Sequence, residues 1–294
     1  MNLARMTEHL PNSKIIRTGT EAQGFSHWVP PSGTLGELIH AAAVRADALM
    51  GRVRELERLA SRARPARSFS AALNLGEVAV IAEIKRASPS KGDINTGIFA
   101  GRQAAAFAAG GAAAISVLTE PERFGGSNAD LDDAIEACDL PVLKKDFHVA
   151  EIQLVEAKAM GASAALVIVR ALSPARLASM AAAARDLGLE ILFEIRNERE
   201  LDTAMHAGAT TIGVNNRNLE TLAVDATTVR RIVPLIPRDC IAIAESGYST
   251  VEEIESAAGA GADAVLVGSI LSASADPTAA VRRLSAVARR SDVR

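Results

Sequence analysis

Residues 165–193, ALVIVRALSPARLASMAAAARDLGLEILF, contain a complete strand–helix–strand unit. A short apolar run, Ala165–Val169, precedes an alanine-rich stretch of helical length, and a second apolar run, Glu190–Phe193, follows it. Gly188 stands just past the alanine-rich stretch, where a glycine supplies the left-handed cap that ends a helix. Strands that are apolar throughout are typical of a parallel sheet covered by helices. This stretch therefore predicts an α/β protein with parallel strands.

The same unit recurs along the chain. Eight short apolar runs alternate with stretches of helical length, several of which end on a glycine. Eight units predict a closed (β/α)8 TIM barrel, which routinely reaches this length as one domain. An open doubly wound sheet remains the alternative, although its GxGxxG fingerprint is missing after the first strand. The predicted strands are Val78–Ile84, Ala114–Leu118, Pro141–Leu143, Ala165–Val169, Glu190–Phe193, Thr211–Val214, Cys240–Ala244 and Ala264–Val267.

Extra helices precede the first strand. Thr34 and Glu37 have the spacing of a capping box, and the apolar residues after them have helical spacing, so a helix is predicted to begin at Thr34. Pro65 stops or bends the helical region that precedes it. A short helix is then predicted around Phe69–Leu73, directly before the first strand.

Composition and length are those of one globular domain. The chain has 294 residues, 49% of them hydrophobic, and a net charge of -3, so partners such as nucleic acid or an anionic membrane are not expected. Cys138 and Cys240 form no CxxC pair, which favours a reducing, cytoplasmic location, and the five histidines lack metal-ligand spacing. No apolar run approaches the roughly 20 residues that cross a bilayer. Residues 1–33 are predicted to be an irregular leader and residues 34–294 the barrel domain.

Polar side chains stand where the predicted strands end, the place where TIM barrels carry their chemistry. Because residues i and i+2 of a strand face the same way, Glu83 should point with Lys85, and Asn215 with Arg217. Ion pairs at the rim would explain any one of these charges, but the convergence of the whole set favours a functional site. Asp146 is instead expected to be a structural partner turned away from the cavity. The converging residues are Glu83, Lys85, Lys145, Glu194, Asn215, Arg217 and Glu245.

The last two strands are followed by glycines and hydroxyl groups. Gly247 follows the seventh strand, and Gly268 and Ser269 follow the eighth, where a helix should open. Barrel enzymes bind phosphate at this place through backbone N–H groups and a helix N-terminus. Ser88, Ser246 or Ser269 can add a hydroxyl donor. The two loops together predict a phosphate-bearing substrate.

Seven segments, taken together, resemble the indole-3-glycerol-phosphate synthase family. They occur in the order and spacing of that family over about residues 34–290, and EIKRASPSKG and KKDF are the most distinctive parts. The segments are IAEIKRASPSKG (81–92), SVLTEPERFGGS (116–127), PVLKKDF (141–147), LFEI (192–195), IGVNNRNLETL (212–222), IAESGY (243–248) and VLVGS (265–269).

The resemblance implies a role for each matched residue. Lys145 matches the family's general acid, Glu194 its principal base, and Lys85 a second lysine that contacts substrate and acts in the dehydration. Glu83 matches the glutamate paired with that lysine, and Asn215 completes the catalytic set. The remaining matches are Arg217, Glu245 and Ser246, which orient substrate and reacting groups, and Ser88, Gly247, Gly268 and Ser269, which hold the phosphate.

The implied reaction belongs to tryptophan biosynthesis. Its substrate is the small phosphorylated molecule 1-(2-carboxyphenylamino)-1-deoxyribulose 5-phosphate, which closes to indole-3-glycerol phosphate with loss of carbon dioxide and water. No organic cofactor and no metal are expected, and the chain is expected to be a monomer or weak homodimer. Arg217 suits a planar carboxylate. Phe147 and Leu219 suit a wall for the anthranilate ring, with core packing as the alternative.

The ionisation of two groups is part of this hypothesis. Lys145 should be an ammonium in the free enzyme; burial or Lys85 would lower its pKa, and Glu83 and Glu194 would oppose that effect. The sequence leaves this balance open. Glu194 is expected to be ionised, because a nearby lysine favours the carboxylate.

Three alternatives differ in their chemistry. Phosphoribosylanthranilate isomerase is disfavoured because Cys138 and Cys240 stand before their strands, whereas the cysteine of that family stands at a strand end. A lyase that forms a Schiff base on Lys85 or Lys145 is a second possibility. A non-catalytic phosphate-binding paralogue is the third, and the presence of Lys85, Lys145 and Glu194 together argues against it.

Overall fold

The computed structural model describes residues 28–290 and residue 293. Within them, eight parallel strands form a closed barrel in which each strand pairs with its neighbours along the chain and the last pairs with the first. The fold is therefore the predicted (β/α)8 barrel and not an open doubly wound sheet. The barrel strands are β1 (Ala79–Ile84), β2 (Ala114–Leu118), β3 (Val142–Lys145), β4 (Ala164–Ile168), β5 (Glu190–Ile195), β6 (Thr211–Asn215), β7 (Ile241–Glu245) and β8 (Ala264–Val267).

Burial on both faces explains why these strands are apolar throughout. β1 shows the closure: its Ala79 pairs with Ala264 of β8, and its Ile81 pairs with Ala114 of β2. One face of each strand fills the barrel interior and the other packs under a helix, so all six residues of β1 are buried. A strand in this setting has no solvent-facing side that would produce alternation.

Helices surround the barrel and also precede it. Three short 3-10 segments (Met50–Arg52, Val169–Ala171 and Val233–Leu235) add to them, and residues 87–88 and 92–93 form a small antiparallel pair after β1. None of the described helices is long and apolar enough to cross a membrane. The helices are α1 (Gly33–Leu49), α2 (Val53–Arg62), α3 (Phe69–Leu73), α4 (Ala100–Ala109), α5 (Pro121–Phe124), α6 (Asn128–Ala137), α7 (Glu151–Ala159), α8 (Pro174–Leu187), α9 (Glu198–His206), α10 (Thr227–Ile232), α11 (Val251–Gly259), α12 (Ser269–Ser272) and α13 (Pro277–Leu284).

The short helix α3 was predicted at its observed position, and a distant carboxylate holds it there. Glu190 at the start of β5 accepts the backbone N–H groups of Phe69 and Ser70 at 2.8 and 2.9 Å. An anion at this point satisfies the free N–H groups of the helix N-terminus. Phe69 and Leu73 are fully buried, so α3 packs its apolar face against the amino-terminal side of the barrel.

The predicted capping box of Thr34 and Glu37 is wrong. Helix α1 begins at Gly33 with Ser32 as its N-cap, and no side chain of its own caps it. Glu220 supplies the acceptors instead, because its side chain accepts the N–H of Ser32 and its carbonyl accepts the N–H of Thr34. Glu37 pairs with Arg123 of α5. A tertiary contact thus replaces the local cap.

The predicted leader, residues 1–33, lies mostly outside the described residues. Residues 28–32 have no regular secondary structure, as expected, and Gly33 already belongs to α1. Cys138 ends α6 and Cys240 directly precedes β7, so both cysteines lie at the amino-terminal side of the barrel strands. Neither cysteine forms a disulfide in the described part of the chain.

Candidate active site

A cavity of about 530 Å³ opens at the carboxyl ends of the barrel strands. Its lining brings together the side chains predicted from six separate strand ends, with Thr34 and Leu38 of α1 on one side. The predicted site residues that line it are Glu83, Lys85, Ser88, Lys145, Phe147, Glu194, Asn215, Arg217, Leu219, Ser246, Gly247, Gly268 and Ser269. Glu245 is the one predicted residue outside the lining, and it lies directly beneath, against Lys145.

Lys145 occupies the floor of this cavity among three carboxylates. Its Nζ lies 2.9 Å from Glu245, 3.6 Å from Glu83 and 3.8 Å from Glu194. The side chains of all three glutamates are almost completely buried. Burial lowers the pKa of Lys145, but Glu245, Glu83 and Glu194 together raise it well above the ordinary value. The ammonium form of Lys145 is therefore favoured, because the three carboxylates outweigh burial.

Glu83 and Lys85 form a second ion pair beside Lys145. Lys85 Nζ lies 2.6 Å from Glu83, which confirms that these two side chains of β1 face the same way. Burial raises the pKa of Glu83, yet Lys85 and Lys145 outweigh it and bring the pKa below the usual range. Glu83 is therefore a carboxylate. A side chain at Gly268 would intrude on this pair, since its Cβ would lie 2.8 Å from Lys85 Nζ.

Glu194 differs from Glu83 in its ionisation. Burial, followed by the charge of Glu245, raises the pKa of Glu194 to about 8, although Lys145 and a hydrogen bond from Asn215 lower it. The expectation that a nearby lysine keeps Glu194 ionised is therefore wrong for the free enzyme near neutral pH. Lys145 is shared among three carboxylates, and Glu194 lies farthest from it. The protonated form of Glu194 is thus favoured by its burial on β5 and by the nearby Glu245 of β7.

Arg217 presents a guanidinium to the cavity. Its backbone N–H donates to Asn215 Oδ1 at 2.8 Å, and its Nη1 donates to the carbonyl of Leu222 at 2.9 Å. Within the described part of the chain no carboxylate pairs with it, and burial lowers its pKa. A partly buried guanidinium that has no carboxylate partner suits an anionic group of a ligand.

The predicted phosphate residues meet at one edge of the cavity. Ser246 and Gly247 both have left-handed backbone angles, with φ of 65° and 94°, and Ser269 opens the short helix α12. Ser88 approaches from the antiparallel pair after β1. This edge combines hydroxyl groups, glycines and backbone N–H groups, which are the elements of a phosphate site.

Apolar side chains also line the cavity. Phe147 and Leu219 line it as predicted, and Phe124 of α5 packs against Phe147 with ring centroids 6.2 Å apart. Phe124 was missed because a single phenylalanine in a loop has no pattern of its own. Glu120 fixes its place by accepting three backbone N–H groups of α5. Other lining residues that the sequence did not single out are Pro89, Ser90, Lys91, Leu118, Leu166, Ile168, Leu222, Tyr248, Ser249, Leu266, Ile270 and Ala273.

The sequence model of the indole-3-glycerol phosphate synthase family matches residues 38–284. The chain belongs to this family. It is 47% identical over 247 residues to "Indole-3-glycerol phosphate synthase 1" of Streptomyces coelicolor, covering 83% of this chain and 92% of the relative. It is 49% identical over 225 residues to the indole-3-glycerol phosphate synthase of Rhodococcus jostii, covering 76% of this chain and 84% of the relative.

A solved structure of thiamine phosphate pyrophosphorylase from Pyrococcus furiosus shares the fold. It superposes with a TM-score of 0.53 at 16% identity, covering 72% of this chain and 95% of that one. This likeness shows the barrel alone. Membership of the indole-3-glycerol phosphate synthase family, an enzyme family that acts on a small phosphorylated substrate, rests on the sequence matches above.

Asp146 follows the matched lysine and has a structural role. Its carboxylate accepts from Arg45 of α1 at 2.7 Å, from Thr119 at 2.8 Å and from the N–H of Phe147 at 2.8 Å. This confirms the expected structural partner, but Asp146 does touch the cavity lining, so the expectation that it turns away was wrong. The preceding Lys144 points outward to Glu156 at 2.5 Å. Strand alternation thus leaves Lys145 as the lysine of the KKDF segment that enters the cavity.

Proposed function

We propose that this chain is an indole-3-glycerol-phosphate synthase of tryptophan biosynthesis. The aromatic carbon that bears the carboxylate of 1-(2-carboxyphenylamino)-1-deoxyribulose 5-phosphate bonds to the sugar carbonyl carbon, and the carbonyl oxygen takes up a proton. The bond to the carboxylate then breaks and carbon dioxide leaves, which restores the aromatic ring. Loss of the new hydroxyl as water, with a proton from the neighbouring carbon, completes the indole. The observation that carries this proposal is the buried ammonium of Lys145 within 4 Å of three carboxylates at the cavity floor.

Lys145 is the proposed general acid of ring closure. Its raised pKa keeps it protonated at neutral pH and well above it. An oxygen that develops negative charge in the transition state is more basic than an amine, so the ammonium can donate to it. Glu83 and Glu245 hold the Nζ between them and limit the directions in which its remaining protons point.

Glu194 and Lys85 are the proposed acid–base pair of the dehydration. Glu194 accepts the carbon-bound proton in its ionised form, and Lys85, paired with Glu83, assists departure of the hydroxyl. Asn215 donates a hydrogen bond to Glu194 and favours its carboxylate. Because the pKa of Glu194 is raised to about 8, kcat/KM should rise with pH as this group loses its proton.

The substrate is proposed to lie across the cavity between two anionic ends. Arg217 binds the anthranilate carboxylate, and Phe147 and Leu219 contact the ring. Ser246 and Glu245 orient the reacting groups at the end of β7. Ser88, Gly247, Gly268 and Ser269 bind the phosphate through N–H and hydroxyl donors.

The rival chemistries fit the site less well. A Schiff-base lysine needs a depressed pKa to be a neutral amine, and the pKa of Lys145 moves the other way. Cys138 and Cys240 lie at the opposite end of the barrel from the cavity, where they could not serve the isomerase reaction. A non-catalytic paralogue would leave the three buried carboxylates and two lysines without a use that offsets their desolvation.

Location and assembly are proposed with the activity. Two cysteines that form no disulfide in the described structure support a cytoplasmic location. We expect a monomer or weak homodimer that needs no metal and no organic cofactor, and that binds neither nucleic acid nor membrane. Size-exclusion chromatography with light scattering tests the assembly state.

The deciding experiment is a ring-closure assay with the purified chain. Indole absorbance and fluorescence should appear on addition of the carboxyphenylamino-deoxyribulose phosphate, and Lys145→Ala should remove about three orders of magnitude of turnover. Lys158→Ala removes a partly buried lysine of α7 that donates to the Gly188 carbonyl and does not line the cavity; it is the matched control and should retain full activity. Saturable substrate binding without indole formation by the unmodified chain would support the non-catalytic paralogue, and absence of binding would refute the substrate.

A further inference from the structure

We infer that Arg170 and Glu220 are positioning residues for the substrate-carboxylate end of the cavity. They fasten the N-terminal strap, defined here as residues 28–34, to the Arg217 loop, defined as residues 217–222. The inference rests on the proposed function for the identity of the ligand. The contacts described below show how Arg170 and Glu220 affect the position of Arg217.

The strap is bound to Glu220 by both its backbone and its side chain. Ser32 N–H donates to Glu220 Oε1 at 2.9 Å, and Thr34 N–H donates to the Glu220 carbonyl at 3.3 Å. Between them Gly33 has a φ of 59°, and a Cβ at Gly33 would collide with the Glu220 carbonyl oxygen. Only glycine allows the backbone at position 33 to lie this close to the Glu220 carbonyl, because it lacks a Cβ and adopts the left-handed conformation without strain.

Arg170, which follows β4, binds both the strap and Glu220. The contacts that join the strap, Glu220 and Arg170 are called the junction below. Its Nη2 lies 3.1 Å from the same Glu220 Oε1, and its Nη1 donates to the carbonyl of Val29 at 2.7 Å. The indole N–H of Trp28 donates back to the Arg170 carbonyl at 3.4 Å. The side chains of Arg170 and Glu220 are 31% and 24% exposed, so solvent screens this pair less than a fully exposed one.

The same loop that Glu220 anchors also sets the direction of Arg217. Arg217 Nη1 donates to the Leu222 carbonyl, and Leu222 adopts a left-handed φ of 64° with its N–H bonded to the Asn218 carbonyl at 2.6 Å. A non-glycine residue in this conformation persists only where its surroundings hold it. Release of Glu220 would let the turn relax and would move the carbonyl that orients the guanidinium.

Arg170 and Glu220 themselves do not reach the substrate cavity. They line a smaller cavity of about 160 Å³ on the far side of Arg217 and Leu219, whereas Arg217, Leu219 and Leu222 line the large one. Their effect must therefore pass through the loop or through Thr34 of the strap, which also lines the large cavity, and the Arg217→Ala background described below separates these two routes. Since carbon dioxide is lost in the proposed reaction, the substrate has a carboxylate for Arg217 and the product has none. Loosening the loop should weaken substrate binding and leave product binding almost unchanged.

The sequence provides a direct probe of the junction. Trp28 is the only tryptophan in the chain, so tryptophan emission in ligand-free protein reports the strap alone. Glu220→Ala should shift this emission to longer wavelength and raise KM for the carboxyphenylamino-deoxyribulose phosphate about tenfold, with kcat changed by less than about threefold. Its affinity for indole-3-glycerol phosphate should stay within about twofold of the parent. Glu220→Gln, which keeps an acceptor for Ser32, should recover part of the loss.

Two further variants make the test decisive. Gly33→Ala breaks the junction from the strap side without altering the barrel, so it should reproduce the emission shift and the KM increase even if Glu220→Ala folds poorly. Glu198→Ala removes the half-exposed ion pair with Arg231, outside both cavities, and should change neither quantity. In an Arg217→Ala background, Glu220→Ala should add little to KM.

Each contrary result has a distinct meaning. An emission shift with unchanged KM would show that the strap docks there without positioning the cavity, and would overturn the inference. Equal losses of substrate and product affinity would assign Glu220 a general structural role and would also overturn it. Failure of the unmodified chain to form indole would refute the proposed function, a result that the emission measurement does not depend on.

Discussion

Glu245→Gln should move the acid limb of the pH–rate profile to lower pH. Glu245 is the largest charge that raises the pKa of Glu194, after burial itself. Glutamine keeps the shape of the side chain and removes the negative charge. The pKa of Glu194 should therefore fall, and the proposed base should ionise at a lower pH.

The size of the effect follows from the distances to Lys145. The nearest oxygens of Glu194 and Glu245 lie 3.8 and 2.9 Å from the same Nζ, so they are at most about 7 Å apart. At an effective dielectric constant of about 20, charges about 7 Å apart interact by about 2.4 kcal/mol, which lowers the pKa by about 1.7. The midpoint of the limb should move from about 8 to near or below about 6.5.

The assay is kcat/KM for indole formation between pH 5 and pH 10 in a buffer of constant ionic strength, since kcat/KM reports groups of the free enzyme. The maximum rate of the variant should also fall, because Lys145 loses its nearest partner, but the midpoint is independent of that loss. Glu200→Gln is the matched control: Glu200 is a buried glutamate of α9 whose pKa burial raises, and it does not contact Lys145. A limb that stays at its position or moves to higher pH in Glu245→Gln would refute the assignment of Glu194 as the titrating base.

Three more predictions test the surroundings of the site. Because the folded state holds the Glu194 proton more tightly than the unfolded chain, the free energy of unfolding should fall as pH rises from about 4.5 to about 8; urea unfolding across this range checks it, and a slope unchanged in Glu194→Gln would contradict it. Gly268→Ala should force Glu83 and Lys85 apart, lowering kcat/KM at least about 100-fold and destabilising the fold by about 1–3 kcal/mol; near-normal kinetics and melting temperature would show that the pair has room to move. Glu190→Ala removes the acceptor of two N–H groups of α3 and should cost about 1–2 kcal/mol in stability with kcat unchanged; a kcat loss in fully folded protein would give this end of the barrel an unexpected role in turnover.

The sequence predicted the barrel strands correctly, because both faces of these strands are buried. Each barrel strand is apolar because it is covered on both faces, so a short apolar run between helical stretches predicts it without further information. The errors at strand ends are instructive. The predicted strands stopped before Glu194, Asn215 and Glu245, which in the structure belong to β5, β6 and β7. In a sequence, a polar residue after an apolar run suggests that the strand has already ended.

The membership of the site was also accessible from sequence, because parallel strands in a barrel bring their carboxyl ends together. The two-residue periodicity of a strand placed Glu83 beside Lys85. The choice of Lys145 rather than Lys144 came from the family resemblance, and the structure shows Lys144 paired with Glu156 outside the cavity. Phe124 escaped prediction, since its contact with Phe147 depends on the path of a loop.

Ionisation and capping were decided only by tertiary structure. The pKa of Lys145 depends on three carboxylates from β1, β5 and β7. That of Glu194 depends on its burial and on the charge of Glu245, which outweigh the ammonium of Lys145. The N-terminus of α1 is satisfied by Glu220, almost two hundred residues away, although a local capping box was present in the sequence. Local periodicity and burial, which can be read from the sequence, determine which groups the fold brings to one place. Electrostatic free energies depend on distances of a few ångström between those groups, and only the packed chain defines such distances.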